Sequence, residues 1–257
     1  MKPRRIKLKQ DLTGQVAWIT GAGTGIGESA AIKLSEAGCK VVLSGRRKEK
    51  LEDVAAQLSS DYLIKPLDVS IRNDVTSTVD SIISEWGQIN IGVFSAGLNI
   101  PNRSWEKVSL DDWDKVINID LNGAFYCNHA VLSPMKNQGG GLIINISSMA
   151  AKVVSDVTGP AYTAAKTAMS AMTADLLFEQ RNNGIRATSI CPGEVATPIL
   201  DDRPVPVTPE QRAKILQAED LGDLVLFIAS MPPHATINDV WITPTHMRKP
   251  PTLLTGR

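Results

Sequence analysis

The stretch "VAWITGAGTGIGESAAIKL", residues 16–34, joins a short apolar run to a glycine-rich turn and then to a helical pattern. Its first five residues are apolar or β-branched, which is typical of a buried strand. Gly21, Gly25 and Gly27 have the spacing that a tight turn, a close backbone approach and helix packing require. Free N–H groups and the positive dipole end of the following helix favour a pyrophosphate. The stretch therefore predicts a dinucleotide-binding turn.

Six further apolar runs alternate with longer helical patterns. They are "KVVLS" (40–44), "YLIKPLD" (62–68), "INIGVFS" (89–95), "GLIINIS" (141–147), "IRATSIC" (185–191) and "DVWIT" (239–243). Nearly continuous hydrophobicity predicts strands buried on both faces, hence a mostly parallel seven-stranded sheet with about six helices covering both faces. We expect a flexible basic tail at 1–11 and one doubly wound α/β domain at 12–257.

Composition and charge favour small-molecule chemistry. The chain has 257 residues, of which 43% are hydrophobic and 21% charged, so it is long enough to bury an ordinary core. Its 27 basic and 27 acidic side chains give a formal net charge of zero. The balance offers no electrostatic argument for nucleic acid or an anionic membrane as partner.

The cysteines and the amino-terminal residues bear on the compartment. Cys39, Cys127 and Cys191 are far apart and form no Cys-x-x-Cys pair, which favours buried free thiols in a reducing compartment over disulfides or a metal site. The basic residues 1–10 precede no apolar run of signal-peptide length, and no later stretch is long enough to span a bilayer. We expect a cytoplasmic protein.

The end of the second predicted strand bears on cofactor choice. Folds that bind NAD usually carry an acidic residue there for the ribose hydroxyls, whereas a ribose phosphate calls for arginine. In "SGRRKEK" Gly45 occupies the acidic place and is followed by Arg46 and Arg47. A solvated charge run is the alternative. Cations at a helix amino terminus are disfavoured unless an anion accompanies them, so NADP is predicted in preference to NAD.

A tyrosine and a lysine stand four positions apart in "GPAYTAAKTAMSAMTADLL", residues 159–177. Helical periodicity puts Tyr162 and Lys166 on one face, where an ammonium would stabilise a phenolate. The pair alone is not specific, but "INISSMAA" lies upstream at the end of a predicted strand. Ser148 there is suited to hydrogen-bond a substrate oxygen while Tyr162 gives or takes its proton. A plain strand-end turn is the alternative for Ser148.

Together these motifs resemble the short-chain dehydrogenase/reductase family. The matching elements, in family order, are TGxxxGxG at 20–27, "LDV" at 67–69, "SAG" at 95–97, "NISS" at 145–148, YxxxK at 162–166 and "PGEVATP" at 192–198. The resemblance covers about residues 12–243 and implies a Rossmann-type fold. It also implies hydride transfer between a nicotinamide ring and a carbon that bears oxygen, without a metal.

The resemblance implies residue roles as well. Ser148 would polarise the reacting oxygen, Tyr162 would handle its proton, and Lys166 would also hold the nicotinamide ribose. Asp68 would bond the adenine amine, and Val195 and Thr197 would anchor the carboxamide. The cofactor-binding residues that follow are Gly21, Thr24, Gly25, Ile26, Gly27, Arg46, Arg47, Asp68, Val69, Ala96, Gly97, Tyr162, Lys166, Val195 and Thr197. The histidines, His129, His234 and His246, match no family position and are expected in packing or at the surface.

The chain departs from the family pattern at its fourth catalytic position. Aligning "WDKVINIDLNGAFYC" on the family helix puts Asp120 where an asparagine is expected, and Asn118 and Asn122 lie off that face. A carboxylate near Lys166 would offset part of its influence on Tyr162, giving a slower enzyme or a shifted pH optimum. Serine also replaces asparagine at 95, with a modest structural effect expected.

The expected substrate walls are two loops, 98–108 and 197–209. The first contains Trp105, which either packs in the core or contacts substrate. The segment after Thr243 lacks the family's usual "DGG" turn, and its arrangement stays open. Family habit implies a homodimer or homotetramer built on helices around 110–136 and 160–182.

The leading hypothesis is an oxidoreductase that interconverts an alcohol and a carbonyl on a small or medium organic substrate with NADP(H). One alternative is a cofactor-binding protein of weakened catalysis that acts as a sensor or scaffold. Another is an epimerase or dehydratase that keeps its cofactor tightly bound. Intact Ser148, Tyr162 and Lys166 favour the first hypothesis.

Overall fold

The computed structural model describes residues 11–246 and the backbone of residues 252–253. The strands are β1 Val16–Thr20, β2 Lys40–Gly45, β3 Tyr62–Pro66, β4 Ile91–Phe94, β5 Gly141–Ile146, β6 Val153–Val154, β7 Ile185–Pro192, β8 Asp239–Ile242 and β9 Thr252–Leu253. Seven of them form one sheet in the order β3-β2-β1-β4-β5-β7-β8. Every neighbouring pair in this sheet is parallel, as the continuous apolar runs predict.

Helices connect the strands. They are α1 Gly25–Glu36, α2 Lys48–Ala55, α3 Arg72–Trp86, α4 Leu110–Val116, α5 Ala124–Asn137, α6 Pro160–Gln180, α7 Pro209–Arg212 and α8 Ala218–Ala229. A π-helical segment, Ile117–Gly123, joins α4 to α5 without a break. The helix α6 begins at Pro160, directly after Gly159. Proline suits the first helical turn because a backbone N–H at that position would have no partner within the helix.

The sheet is buried on both faces. Ala17 and Ile19 of β1 pack on one side with α1, α2 and α8, whereas Val16 and Trp18 pack on the other with α3, α5 and α6. Trp18 is fully buried, meets the Phe94 ring at 5.4 Å edge to face, and donates its indole N–H to Ser44 at 2.9 Å. Alternate residues of one strand therefore fill two separate cores, and the doubly wound prediction is confirmed.

All seven predicted strands of the sheet are present, with ends that differ by at most two residues from the predicted runs. Two further strands were not predicted: β6 follows the Ser148 turn, and β9 pairs with it in antiparallel fashion, Val153 opposite Leu253 and Val154 opposite Thr252. β9 thus lies beside the segment that follows β5. The predicted basic tail lies, apart from Asp11, outside the described residues.

The cysteines are buried and the histidines are exposed. Cys39, Cys127 and Cys191 are free and buried, as predicted. His129, His234 and His246 are exposed, which agrees with a surface role. Among the residues that the structure describes, no helix is both long enough and apolar enough to cross a membrane.

The strand order reverses direction between β1 and β4. From β1 the chain proceeds outward to β2 and β3, then returns to β4 on the opposite side of β1. At such a switch point the connections leave the carboxyl edge of the sheet in opposite directions and open a crevice between them. The candidate site lies in this crevice.

Candidate active site

A cleft of about 520 Å³ runs along the carboxyl edge of the sheet, a volume in the range of small-molecule sites. It is lined by the glycine turn after β1, the arginines after β2, Asp68 and Val69 after β3, and residues 95–99 after β4. Ser148 after β5, Tyr162 and Lys166 of α6, and residues 192–195 and 197–199 at the end of β7 also line it. One cleft thus collects residues from seven separate parts of the chain.

The glycine turn is required by backbone geometry at two points. Gly21 has a φ of +67°, and a Cβ there would lie 2.8 Å from the Ala96 nitrogen. A Cβ at Gly27 would lie 2.3 Å from the Gly21 carbonyl oxygen. The turn therefore packs against the loop after β4 and against itself, and any side chain would disrupt it. Thr24 is the residue that precedes α1, so the first N–H groups of that helix face the cleft.

The structure has open space beside Gly45, at the end of β2. A Cβ on Gly45 would meet only Leu51 Cδ2, at the ordinary distance of 3.5 Å, so internal packing does not demand glycine there. Arg46 and Arg47 are exposed and line the cleft, and α2 begins at Lys48, immediately after them. Neither arginine forms an ion pair with any described residue. Two cations and an unfilled gap therefore border one helix amino terminus.

The remaining predicted cofactor residues also line the cleft. Asp68 accepts hydrogen bonds from the backbone N–H and the hydroxyl of Ser70, at 3.0 and 2.7 Å, which fixes its carboxylate at the end of β3. Thr197 contacts the glycine turn, since a Cβ on Gly25 would lie 2.9 Å from its methyl carbon. Ile26, Val69, Ala96, Gly97 and Val195 complete this set.

The structure brings Tyr162, Lys166 and Ser148 to one end of the cleft. Lys166 Nζ lies 5.5 Å from the centre of the Tyr162 ring and donates to the Ile146 carbonyl at 3.1 Å. The Ser147 hydroxyl donates to the Lys166 carbonyl at 2.8 Å, which ties the end of β5 to α6. Ser148 is partly exposed to the cleft, where its hydroxyl accepts from the Ala150 N–H at 3.1 Å. The predicted phenol, ammonium and hydroxyl therefore share one wall.

Asp120 lies directly behind this wall. Its Oδ2 is 3.4 Å from Lys166 Nζ, and its Oδ1 accepts from the Leu98 N–H at 2.9 Å. Asp120 is in the π-helical segment, a distortion that often marks functional sites, while Asn118 and Asn122 bond to each other at the surface. Of these three residues, Asp120 is the one that forms an ion pair with Lys166.

Burial raises the pKa of the Asp120 carboxyl, while the Lys166 ammonium and the Leu98 N–H act in the opposite direction. Oδ2 makes no hydrogen bond with any described residue, because the contact with Lys166 has ion-pair distance but not hydrogen-bond geometry. Gly97 keeps this space open, since a Cβ there would lie 3.2 Å from both Asp120 Oδ2 and Lys166 Nζ. Charge compensation at Lys166 is thus internal to the protein.

Several further residues line the cleft although no sequence motif indicates them. Arg103 is buried and lines the cleft, as do Asn99 and the ion pair between Arg203 and Glu194. All four follow strands or lie in the predicted wall loops. A single polar residue in a loop belongs to no repeating pattern, so the sequence alone does not indicate its role. Trp105 neither packs in the core nor lines the cleft: it is 82% exposed, on a turn that faces solvent.

The family model for short chain dehydrogenases matches residues 15–205. The chain belongs to the short-chain dehydrogenase family. It is 36% identical over 234 residues to an uncharacterized oxidoreductase of Staphylococcus aureus (strain USA300), covering 91% of this chain and 98% of that one. A Staphylococcus epidermidis oxidoreductase is 32% identical, covering 90% of this chain and 97% of that one. This short-chain dehydrogenase is therefore an oxidoreductase of CH–OH and C=O groups.

Solved structures agree with this membership. A closed form of serine dehydrogenase complexed with NADP+ is 29% identical, with a TM-score of 0.80, and covers 90% of this chain and 95% of its own. Levodione reductase is 26% identical, with a TM-score of 0.81, and covers 89% of this chain and 96% of its own. The short-chain dehydrogenase fold is thus shared over nearly the whole chain.

Proposed function

We propose that this short-chain dehydrogenase transfers hydride between NADP(H) and an alcohol or carbonyl on a small or medium organic substrate. The observation that carries the proposal is the position of Lys166 Nζ, 5.5 Å from the Tyr162 ring, at one end of the cleft that also holds the glycine turn. Proton-transfer and dinucleotide-binding groups share a single crevice. Two structurally similar proteins, levodione reductase and serine dehydrogenase, are named for levodione and serine, both small organic molecules.

The residues present fit a nicotinamide dinucleotide. The Gly21 and Gly27 turn admits no side chain, and the cleft-facing start of α1 offers N–H groups of the kind that bind pyrophosphate. Arg46 and Arg47 border the gap left at Gly45, which suits a ribose phosphate better than bare hydroxyls. The serine dehydrogenase structure with NADP+ supports the same choice. Asp68, Val69, Ala96, Gly97, Val195 and Thr197 would hold the rest of the cofactor.

The bound cofactor would supply or accept the hydride. Tyr162 holds a proton at its phenol oxygen and exchanges it with the substrate oxygen, and Ser148 donates a hydrogen bond to that oxygen. Lys166 stabilises the phenolate by its charge and is itself held by the Ile146 carbonyl. Asp120 positions Lys166 and lowers the net positive charge that Tyr162 experiences.

We further propose a cytoplasmic homodimer or homotetramer built on α5 and α6. Phe125 on α5 is 49% exposed and Phe178 on α6 is 66% exposed, and burial of such rings in a subunit contact is favourable. Three free buried thiols agree with a reducing compartment. Light scattering of the wild type and of Phe178→Glu tests the assembly: a multimer that dissociates in the variant is expected, and a monomeric wild type would contradict it.

The experiment that tests the enzymatic proposal is turnover of a broad carbonyl panel with NADPH, for the wild type and for Tyr162→Phe. Loss of the proton donor is expected to lower kcat by about 10²- to 10⁴-fold. Tyr62→Phe, at an exposed tyrosine outside the cleft, is the matched control and is expected to keep full activity. Equal activity of both variants would overturn the assignment of Tyr162.

A further inference from the structure

Arg103 is a buried guanidinium at the substrate end of the cleft. The residue is 6% exposed and belongs to the loop that follows β4. Its Nε donates to the Ile100 carbonyl at 2.5 Å, one terminal nitrogen to the Val157 carbonyl at 3.0 Å, and the other to the Asp202 carbonyl at 2.5 Å. It thereby joins three loops that lie far apart in sequence.

All three acceptors of Arg103 are neutral. No carboxylate among the described residues lies within ion-pair distance of it, and the Asp202 carboxylate acts on it only at longer range. Burial lowers the pKa of the Arg103 guanidinium, and the nearby Arg203 acts in the same direction. Arg203 is paired with Glu194, so its charge is already compensated. The buried positive charge of Arg103 therefore lacks a close counter-charge inside the described protein, an arrangement that burial makes costly.

The guanidinium retains donors for a ligand. It carries five N–H groups, and the three carbonyl bonds leave one N–H on each terminal nitrogen. A carboxylate can accept two such bonds from one guanidinium. An anionic group of the substrate would supply both the missing charge and the missing acceptors.

The position of Arg103 is fixed relative to Tyr162. Gly159, three residues before the tyrosine, has a φ of +75°, and a Cβ there would lie 2.1 Å from the Arg103 carbonyl oxygen. The loop that leads into α6 also accepts from Asn99, through the Thr158 carbonyl at 3.0 Å. Tyr162 is close enough to Arg103 to act electrostatically on the pKa of its guanidinium. An anion held by Arg103 would thus be oriented against the phenol.

We propose that the substrate carries a carboxylate, recognised by Arg103, so that the enzyme interconverts hydroxy acids and oxo acids. This inference rests on the proposed function and specifies its substrate class. Arg103 is then a specificity-determining residue: it binds the end of the substrate remote from the reacting carbon and orients it toward Tyr162.

A second arginine, which is only partly buried, forms a comparable set of backbone contacts away from the cleft. Arg186 on β7 also donates to backbone carbonyls, those of Met231 and Ala235 at 3.2 and 3.3 Å, and burial likewise lowers its pKa. It does not line the cleft. Arg186→Gln therefore removes a carbonyl clamp without removing a charge from the substrate site, and is the matched control for Arg103→Gln.

The test measures binding without turnover. Oxo acids cannot be reduced by oxidised NADP, so calorimetric titration of the protein saturated with NADP+ yields their dissociation constants directly. The ligands are a 2-oxo, a 3-oxo and a 4-oxo acid, each compared with its own methyl ester, which has the same carbonyl but no charge. The wild type is expected to bind the acid of at least one pair about 10- to 100-fold more tightly, the range of a hydrogen-bonded charge. This comparison needs no variant.

In Arg103→Gln the acid and the ester are expected to bind equally, whereas Arg186→Gln is expected to keep the preference. The inference is overturned if the wild type binds no acid, if it binds every ester as tightly as its acid, or if the preference survives in Arg103→Gln. NADPH affinity and turnover of neutral carbonyls are measured in parallel. If these persist without an acid preference, only the carboxylate inference fails; if NADPH does not bind, the proposed function fails.

Discussion

Asp120 and Lys166 form a buried ion pair, with Oδ2 of the carboxylate 3.4 Å from Nζ of the ammonium. The pair lies behind Tyr162, and the small residue Gly97 leaves the space that both side chains occupy. An asparagine at 120 would offer the Leu98 N–H the same acceptor but would leave the Lys166 charge uncompensated. We therefore propose that Asp120 is a positioning residue that adjusts the charge around the phenol.

Asp120→Asn is expected to shift the acidic limb of the pH–rate profile for alcohol oxidation to lower pH. Removal of the carboxylate increases the positive field of Lys166, which favours the phenolate of Tyr162. Steady-state kcat/KM measured across pH checks the shift. Asp114→Asn, at an exposed aspartate of α4, is expected to leave the profile unchanged. A profile for Asp120→Asn that coincides with the wild type would remove this role.

The buried carboxyl of Asp120 is also expected to make the stability of the wild type, relative to Asp120→Asn, depend on pH. Because burial raises the pKa of Asp120 above its ordinary value of 3.8, the folded protein binds this proton more tightly than the unfolded chain. Its contribution to stability is full below pH 3.8 and is lost as pH rises through the folded pKa. The free energy of unfolding of the wild type, relative to Asp120→Asn, is therefore expected to fall with rising pH in urea titrations. A difference that grows with pH would contradict the upward direction of the Asp120 pKa.

Gly45→Asp is expected to change cofactor preference from NADP toward NAD by at least about tenfold. A Cβ at this position meets only Leu51 at an ordinary distance, so the fold should tolerate the substitution. The new carboxylate would accept from ribose hydroxyls and repel a ribose phosphate beside Arg46. Dissociation constants for both reduced cofactors measure the change. An unaltered ratio would mean that the phosphate does not bind at the end of β2.

Gly159→Ala is expected to destabilise the protein by at least about 2 kcal/mol, because the new methyl group would collide with the Arg103 carbonyl oxygen at a backbone conformation reserved for glycine. Gly87→Ala is the control for conformation alone. Gly87 has a φ of +76° but no atom within 4 Å of its Cβ position, so its cost should be about 1 kcal/mol. Thermal unfolding of both variants separates the two effects, and equal losses would refute the steric explanation.

The sheet was predictable because its signal is local. A parallel strand covered on both faces reads as a continuous apolar run, and all seven runs became strands of the sheet. The strands β6 and β9 are two residues each and exist only because the chain end returns to pair with the turn after Ser148. Such a pairing depends on a contact between segments about a hundred residues apart, for which neither segment carries a pattern.

The residues of the candidate site likewise differ in whether the local sequence indicates them. Tyr162, Lys166 and the glycine turn lie at fixed spacings within single elements, so the sequence reveals them. Asp120 was found by its register on a helix, but its distance from Lys166 depends on the π-helical segment. The sequence does not indicate Arg103, because its three hydrogen-bond acceptors come from three loops that only the fold brings together.

The most direct test of the account is a fluorescence titration of the purified protein with NADPH and, separately, with NADH. NADPH is expected to bind at least about tenfold more tightly, and Arg46→Ala to abolish the difference. Lys48→Ala removes a neighbouring cation that does not line the cleft and is expected to preserve it. Equal or tighter binding of NADH would contradict the assignment of Gly45 and Arg46, and binding of neither cofactor would contradict the proposed oxidoreductase itself.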